Sequence, residues 1–492
     1  MKFMRFMDID TKKFGGKRKA GIFCLSMIAA AFLWGCGTPM PASGHRTEEA
    51  VSDTDTLAAD NGTVSGNEGE EKTAETAYAG QSVAGEDEKN KGIQSGLDSE
   101  MPEGQERVEN VRPKVKGIFV TGPMAGTDNM GHLIELVEDT ELNAIVMDVK
   151  NDEGRVVYDM QIPAVSETGA GIRYVQDMES LVAECKEKNI YLIARIVAFK
   201  DPFLAEIKPE WCIHNKDGSI FHDKGGLAWL NPYNQEVWEY LLDIADEALS
   251  IGFDEIQFDY IRFSTDEAME DVDFGQTVTG DRQQVIIDFV KYASERVHKA
   301  GGAVSADVYG MVIDSEVDQK IVGQNYVELS KYLDYISPMV YPSHYGPYNY
   351  DIPVPDAEPY RLVLTALLSS KKVLAGIPVN TVSGNAAAGN TAIGDIISQN
   401  ETTGSSISSA VEGTEPALAK EEIALLEPMK GVRAKVRPWL QDFTATWVTG
   451  HIPYGKKEVR EQIQAVYDAG YEEWILWNAS NRYTEDGLLK EE

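Results

Sequence analysis

Short stretches rich in β-branched and aromatic residues alternate along this chain with longer amphipathic ones. The clearest is 254–263 (DEIQFDYIRF), where strand period puts Ile256, Phe258 and Tyr260 on one face and Gln257 and Asp259 on the other. An apolar outer face and a polar inner face at a strand end suit a barrel jacketed by helices, whose last inward residue opens into a mouth. Seven further strands are predicted at 115–121 (VKGIFVT), 143–150 (NAIVMDVK), 191–199 (YLIARIVAF), 303–309 (AVSADVY), 334–341 (DYISPMVY), within 432–443 (VRAKVRPWLQDF) and at 473–479 (EWILWNA). Helical spacing falls between them at 130–140, 175–188, 234–250, 281–300, 326–332, 355–374, 416–429 and 456–469. Eight strands with a helical segment between each and the next predict an α/β fold, a (β/α)8 TIM barrel. A doubly wound sheet usually has fewer strands, and no GxGxxG or P-loop sequence favours one.

The barrel begins after Pro113, and what precedes it has a different character. Residues 12–19 (KKFGGKRK) are basic, and an apolar run from Ala20 to Trp34 ends in Leu33-Trp34-Gly35-Cys36. A charged region, a short apolar region and a small residue before the cut predict a secretion signal over 1–36, with an uncleaved anchor as the alternative, although the run is short for a membrane span. Its ending resembles the bacterial lipobox, with Cys36 the lipidated first mature residue, although Trp34 stands where a small or β-branched residue is usual. Residues 37–112 are rich in Glu, Asp, Gly, Ser and Thr, with Tyr78 the sole aromatic, and predict a disordered acidic tether. A Gly-, Ser-, Thr- and Asn-rich stretch at about 377–415 predicts a flexible insertion in the 113–492 barrel. The expected location is the cell surface, on the outer face of the cytoplasmic membrane, or secreted.

Charge narrows the partners. The 492-residue chain has 45 Lys and Arg against 80 Asp and Glu, a net charge of −35. Nucleic acid is excluded, because phosphate binding needs clustered cations. Cys185 and Cys212, the two cysteines of the body, form no CxxC pattern, and neither a zinc site nor a disulfide framework is indicated. His214 and His222 share a loop without metal-ligand spacing, and Ser343-His344 lacks a nucleophile elbow. No cofactor or metal is expected.

The phrases FDYIRF, MDVKND, SPMVYPSHY and RPWLQDF resemble a family of largely uncharacterised bacterial glycoside hydrolase domains, over about residues 115–483. The resemblance implies a (β/α)8 fold and action on carbohydrate.

Glycosidic cleavage needs two carboxyl groups, one to protonate the leaving oxygen and one to attack the anomeric carbon or activate water. Strand period nominates Asp148, Asp259 and Asp307 as inward residues near strand ends. Asp259 is expected as nucleophile or base and Asp307 as acid, with the reverse open. Asp148 and Lys150 share a face, either as an ion pair or as part of a sugar site. Arg195 points inward on the third strand, and Arg437, Trp439 and Gln441 on the seventh. An inward Arg beside Asp residues favours their charged form. Tyr341, Trp439 and Trp477 offer aromatic faces to sugar rings, or pack the core. Two functions follow: hydrolysis of a polysaccharide or cell-envelope glycan, or a non-catalytic carbohydrate-binding barrel acting as surface receptor or scaffold. A transglycosylase is a third.

Overall fold

The computed structural model describes residues 112–275, 280–379 and 418–490. The expected signal with Cys36, the tether, and nearly all of the 377–415 insertion lie outside the described residues.

Eight parallel strands close on themselves: β1 (Lys116–Val120), β2 (Ala144–Lys150), β3 (Tyr191–Val197), β4 (Glu255–Asp259), β5 (Ala303–Tyr309), β6 (Tyr335–Met339), β7 (Lys435–Val436 and Trp439–Gln441) and β8 (Trp474–Trp477). Each pairs with the next, and β8 pairs with β1 through Lys116↔Trp474 to Ile118↔Leu476, which completes the predicted barrel. Closure leaves no unpaired sheet edge. The two parts of β7 belong to one register against β6. Pro438 between them has no N–H to give, but its carbonyl accepts from the Ile475 amide at 3.0 Å.

The helices form where caps and apolar spacing agree. Asn234 accepts from the Glu236 amide to start Gln235–Ser250, and Asp281 accepts from Gln284 to start Arg282–Lys299. In the former, Val237, Leu241, Ile244, Ala245 and Ala248 recur at three and four residues and are buried. Two expectations change at element ends. Of the helix expected at 416–429, residues 418–429 are helical only over Lys420–Ala424, and Pro428 disfavours helical geometry at Glu427. The strand expected to reach Phe263 stops at Asp259, where Tyr260 adopts φ 51° and the chain turns away.

The core has two main parts, beside a small third cluster of Tyr345, Ile352 and Leu362. One lies between strands and helices. The other fills the barrel with Val115, Phe119, Ala144, Val146, Tyr191, Ile193, Tyr341, Trp439 and Ile475. Below it, Arg437 is fully buried between Glu255 (2.8 Å) and Glu473 (3.1 Å), with the Tyr335 ring 3.7 Å from its guanidinium. Glu255 opens β4 and Tyr335 opens β6, so this ion triad is the floor of the barrel, opposite the mouth.

Candidate active site

At the C-terminal mouth, Arg195 draws together carboxylates from β2 and β4. Its Nη1 donates to Asp148 Oδ1 at 2.6 Å, while Nε and Nη2 donate to Asp259 Oδ2 at 3.0 and 2.6 Å. The guanidinium also lies 5.3 Å from the centroid of the Phe119 ring. Asp259 Oδ1 accepts from the Tyr260 amide at 2.6 Å, a contact made as the backbone turns into its left-handed φ. Strained backbone next to a charged side chain is a feature functional sites often carry.

Asp307 faces the same space from β5. The β4–β5 register runs from Glu255↔Ala303 to Phe258↔Ala306, so Asp259 and Asp307 follow as the next pair, one strand spacing of about 4.8 Å apart along the sheet. Trp439 Nε1 donates to Asp307 Oδ1 at 2.6 Å. Behind it, Gln324 donates to the Asp307 carbonyl and accepts from the Tyr309 amide, both at 3.1 Å, which fixes the end of β5.

These surroundings separate the carboxyl groups. Burial, reinforced by the negative charge of Asp259, pushes Asp307 well above the usual carboxylate range, against the Trp439 hydrogen bond and Arg195. Burial raises Asp148 to about 6 despite its Arg195 partner. Asp152, just beyond β2, is held below its ordinary value, because Arg195 and Lys200 outweigh the effect of burial. Burial raises the Tyr341 phenol, and the carboxyl groups of Asp307 and Asp259 act in the same direction. Trp477 meets Tyr341 at 5.7 Å and stacks on Phe119 at 6.5 Å.

Asp148, Arg195, Asp259, Asp307, Tyr341, Trp439 and Trp477 therefore meet in one region. Three other sequence candidates are committed elsewhere. Lys150 is fully buried, bound to Asp201 at 2.8 Å and to the Val197 carbonyl at 2.8 Å, because a register shift between Asp148 and Lys150 breaks the alternation. Arg437 belongs to the floor. Gln441 is fully buried as a staple between loops: it accepts from the Ser343 amide and donates to Asp356 Oδ1 and the Phe443 carbonyl, each at 3.0 Å. Arg262 lies over the rings of Tyr309, Tyr260 and Trp229 at 4.5, 4.8 and 4.9 Å. Asp152 and Lys200 were not anticipated, since both lie past strand ends where period carries no information. Cys185 and Cys212 are free and buried. Among the described residues, no group of three or more His, Cys, Asp or Glu is arranged to hold a metal.

The family model described as "Putative glycosyl hydrolase domain" matches residues 117–383 and 414–483. No curated protein matches the chain. Among solved structures, it is similar to a hypothetical protein from Ruminiclostridium thermocellum, with 39% identity, 39% of this chain and 97% of that chain covered, and a TM-score of 0.36. It is also similar to the PgaB (BpsB) glycoside hydrolase domain from Bordetella bronchiseptica, with 12% identity, 74% and 94% covered, and a TM-score of 0.47. The spore cortex-lytic enzyme SleL from Bacillus megaterium is similar at 12% identity, 75% and 72% covered, and a TM-score of 0.37.

Proposed function

We propose, from the premise that this chain belongs to the family of glycosyl hydrolase domains whose model spans its barrel, that it hydrolyses a polysaccharide or cell-envelope glycan. Asp307 is the acid and Asp259 the nucleophile or base. The proton of Asp307 goes to the glycosidic oxygen as the bond to the anomeric carbon breaks. Asp259 either takes a proton from a water that attacks that carbon directly, or attacks it to form a glycosyl-enzyme ester that a water, giving its proton to the Asp307 carboxylate, then cleaves. By both routes one water is added across the bond. The observation that carries this reading is the unequal treatment of the pair. Arg195 gives two donors to Asp259, which suits a charged carboxylate, while burial and Asp259 favour the protonated form of Asp307. Trp477, partly exposed and backed by the buried Tyr341 ring, supplies a face a sugar ring would rest on. The acidic chain favours neutral or cationic glycans over anionic ones.

Asp259→Asn and Asp307→Asn test the assignment. Each is expected to lower release of reducing ends by about 100- to 10,000-fold while leaving the fold intact. Undiminished turnover in Asp259→Asn removes that residue from the mechanism.

One observation favours a second reading. Asp307 is 1% exposed and Asp259 is 7% exposed, both engaged with Trp439 and Arg195. Such a barrel could bind glycan without cleaving it. Measurable binding across a glycan panel with no reducing ends released would select this alternative.

The basic and apolar N-terminal run supports export, with the barrel held at the cell surface by lipid on Cys36 and an acidic tether over 37–112. Replacement of Cys36 by Ser is expected to move the protein from the membrane fraction to the medium. Unchanged membrane retention would rule the lipid out as its anchor.

A further inference from the structure

The aromatic residues of the mouth do not end with the groups already assigned. Trp477 closes β8, and the Phe443 ring meets it edge-on at 5.3 Å with an interplanar angle of 80°. Phe443 in turn stacks with Trp447 at 5.9 Å and 17°. Phe119, Trp477, Phe443 and Trp447 thus form an unbroken line of rings from the barrel interior outward. The line ends in a side chain that is 52% exposed. Trp447 thus extends outward, as one packed series of rings, the aromatic surface that begins at the candidate site.

The loop that carries these rings is braced. Gln441 joins the segment after β7 to Ser343 and Asp356 in the segment after β6. Tyr454 adds a hydroxyl hydrogen bond to the Asp356 carbonyl and an amide hydrogen bond to Thr444 Oγ1, both at 3.0 Å. The two segments form one wall, so Phe443 is presented from a fixed backbone and little ordering is needed on binding.

We propose that Phe443 and Trp447 form an outlying sugar subsite, so that the cleft takes a glycan chain of several residues rather than a lone terminal sugar. The occupant is a glycan because the ring line starts beside the Asp259–Asp307 pair and ends in the half-exposed Trp447 ring, whose face away from Phe443 suits the C–H face of a sugar. This inference rests on the carbohydrate reading of the same cleft, but not on turnover.

The test uses the full chain with chitosan oligosaccharides and cello-oligosaccharides of two to six sugars. Binding is measured by calorimetry in an Asp259→Asn background and hydrolysis in the native one. Affinity for at least one series is expected to rise with length. Trp447→Ala should weaken the six-sugar ligand by about tenfold, the scale of one lost ring contact. The loss should shrink as the ligand shortens, and Trp447→Phe should restore most of it. The proposal is overturned if neither series binds more tightly with length, if Trp447→Ala binds six sugars as the native chain does, or if its loss is the same at every length. Length-dependent binding through Trp447 without hydrolysis would remove the hydrolytic reading and leave the subsite. Hydrolysis without any length dependence would do the reverse.

Discussion

Arg195 serves Asp148 and Asp259 with the donors of one guanidinium, and the charge of Asp152 also acts on it. Removing it would leave two buried carboxyl groups without a cation, a change that destabilises by about 3–5 kcal/mol when a buried pair is broken. Arg195→Met is therefore expected to unfold at lower urea and to lose turnover. Arg195→Lys keeps the charge but not the forked geometry, so it should recover stability more than activity. Urea midpoints and reducing-end assays on both variants check this, and full activity in Arg195→Met would contradict it. The four central candidates, Asp148, Arg195, Asp259 and Asp307, were legible because strand period states which side of a sheet a residue faces. It does not state depth. Arg437 has the inward parity expected of it and still belongs to the floor, 0% exposed beside Glu255 and Glu473. Lys150 fails for a different reason, since a bulge shifts the period itself.

Strands and helices were read most accurately where two signals coincide. Asp281 and Asn234 announce their helices both as caps and as the residues before an amphipathic run, and both helices start one residue later. Ends governed by a single backbone geometry were less legible. Tyr260 continues the apolar alternation of Ile256 and Phe258, yet its positive φ ends β4 one residue earlier. The conformation pairs with the Tyr260 amide on Asp259, and it brings the ring 4.4 Å from the Lys200 ammonium and against Trp229 at 6.0 Å. No spacing rule anticipates a left-handed tyrosine, because the preference it overrides is the one such rules encode. The loops after β6 and β7 were also opaque. Their union depends on Gln441 reaching Asp356, 85 residues away in sequence.

At the scale of the molecule, barrel closure was legible from the number and spacing of strands, whereas the balance of buried charge needs coordinates. Asp334, at the start of β6, would be raised by burial. The His298 hydrogen bond and charge, the Val304 amide and Arg433 instead bring it down to about 2. Its unfolded value is about 3.9, so its contribution is present above about pH 4 and is lost as pH falls through about 2. Asp148 and Asp314 have the opposite sign. Burial raises each to about 6, so they favour the native state below about pH 4 and lose that contribution as pH rises through about 6. Asp307 is raised as well and acts in the same direction. His344, lowered to about 4 by burial, opposes them, since its contribution is lost as pH falls toward about 4. Burial also raises Asp201, Glu247, Asp318, Asp356 and Asp442, so raised carboxyl groups outnumber the one lowered imidazole, and the net charge of −35 adds self-repulsion near neutrality that protonation relieves. The urea midpoint is accordingly expected to rise as pH is lowered from 7 to about 5, then to fall below about 4. Asp334→Asn should flatten the acid limb, and Asp148→Asn should flatten part of the slope between about pH 4 and 6. A native midpoint that climbs from pH 5 to 7 would mean that these buried acids are ionised in the folded barrel, and the proton assigned to Asp307 would lose its physical basis.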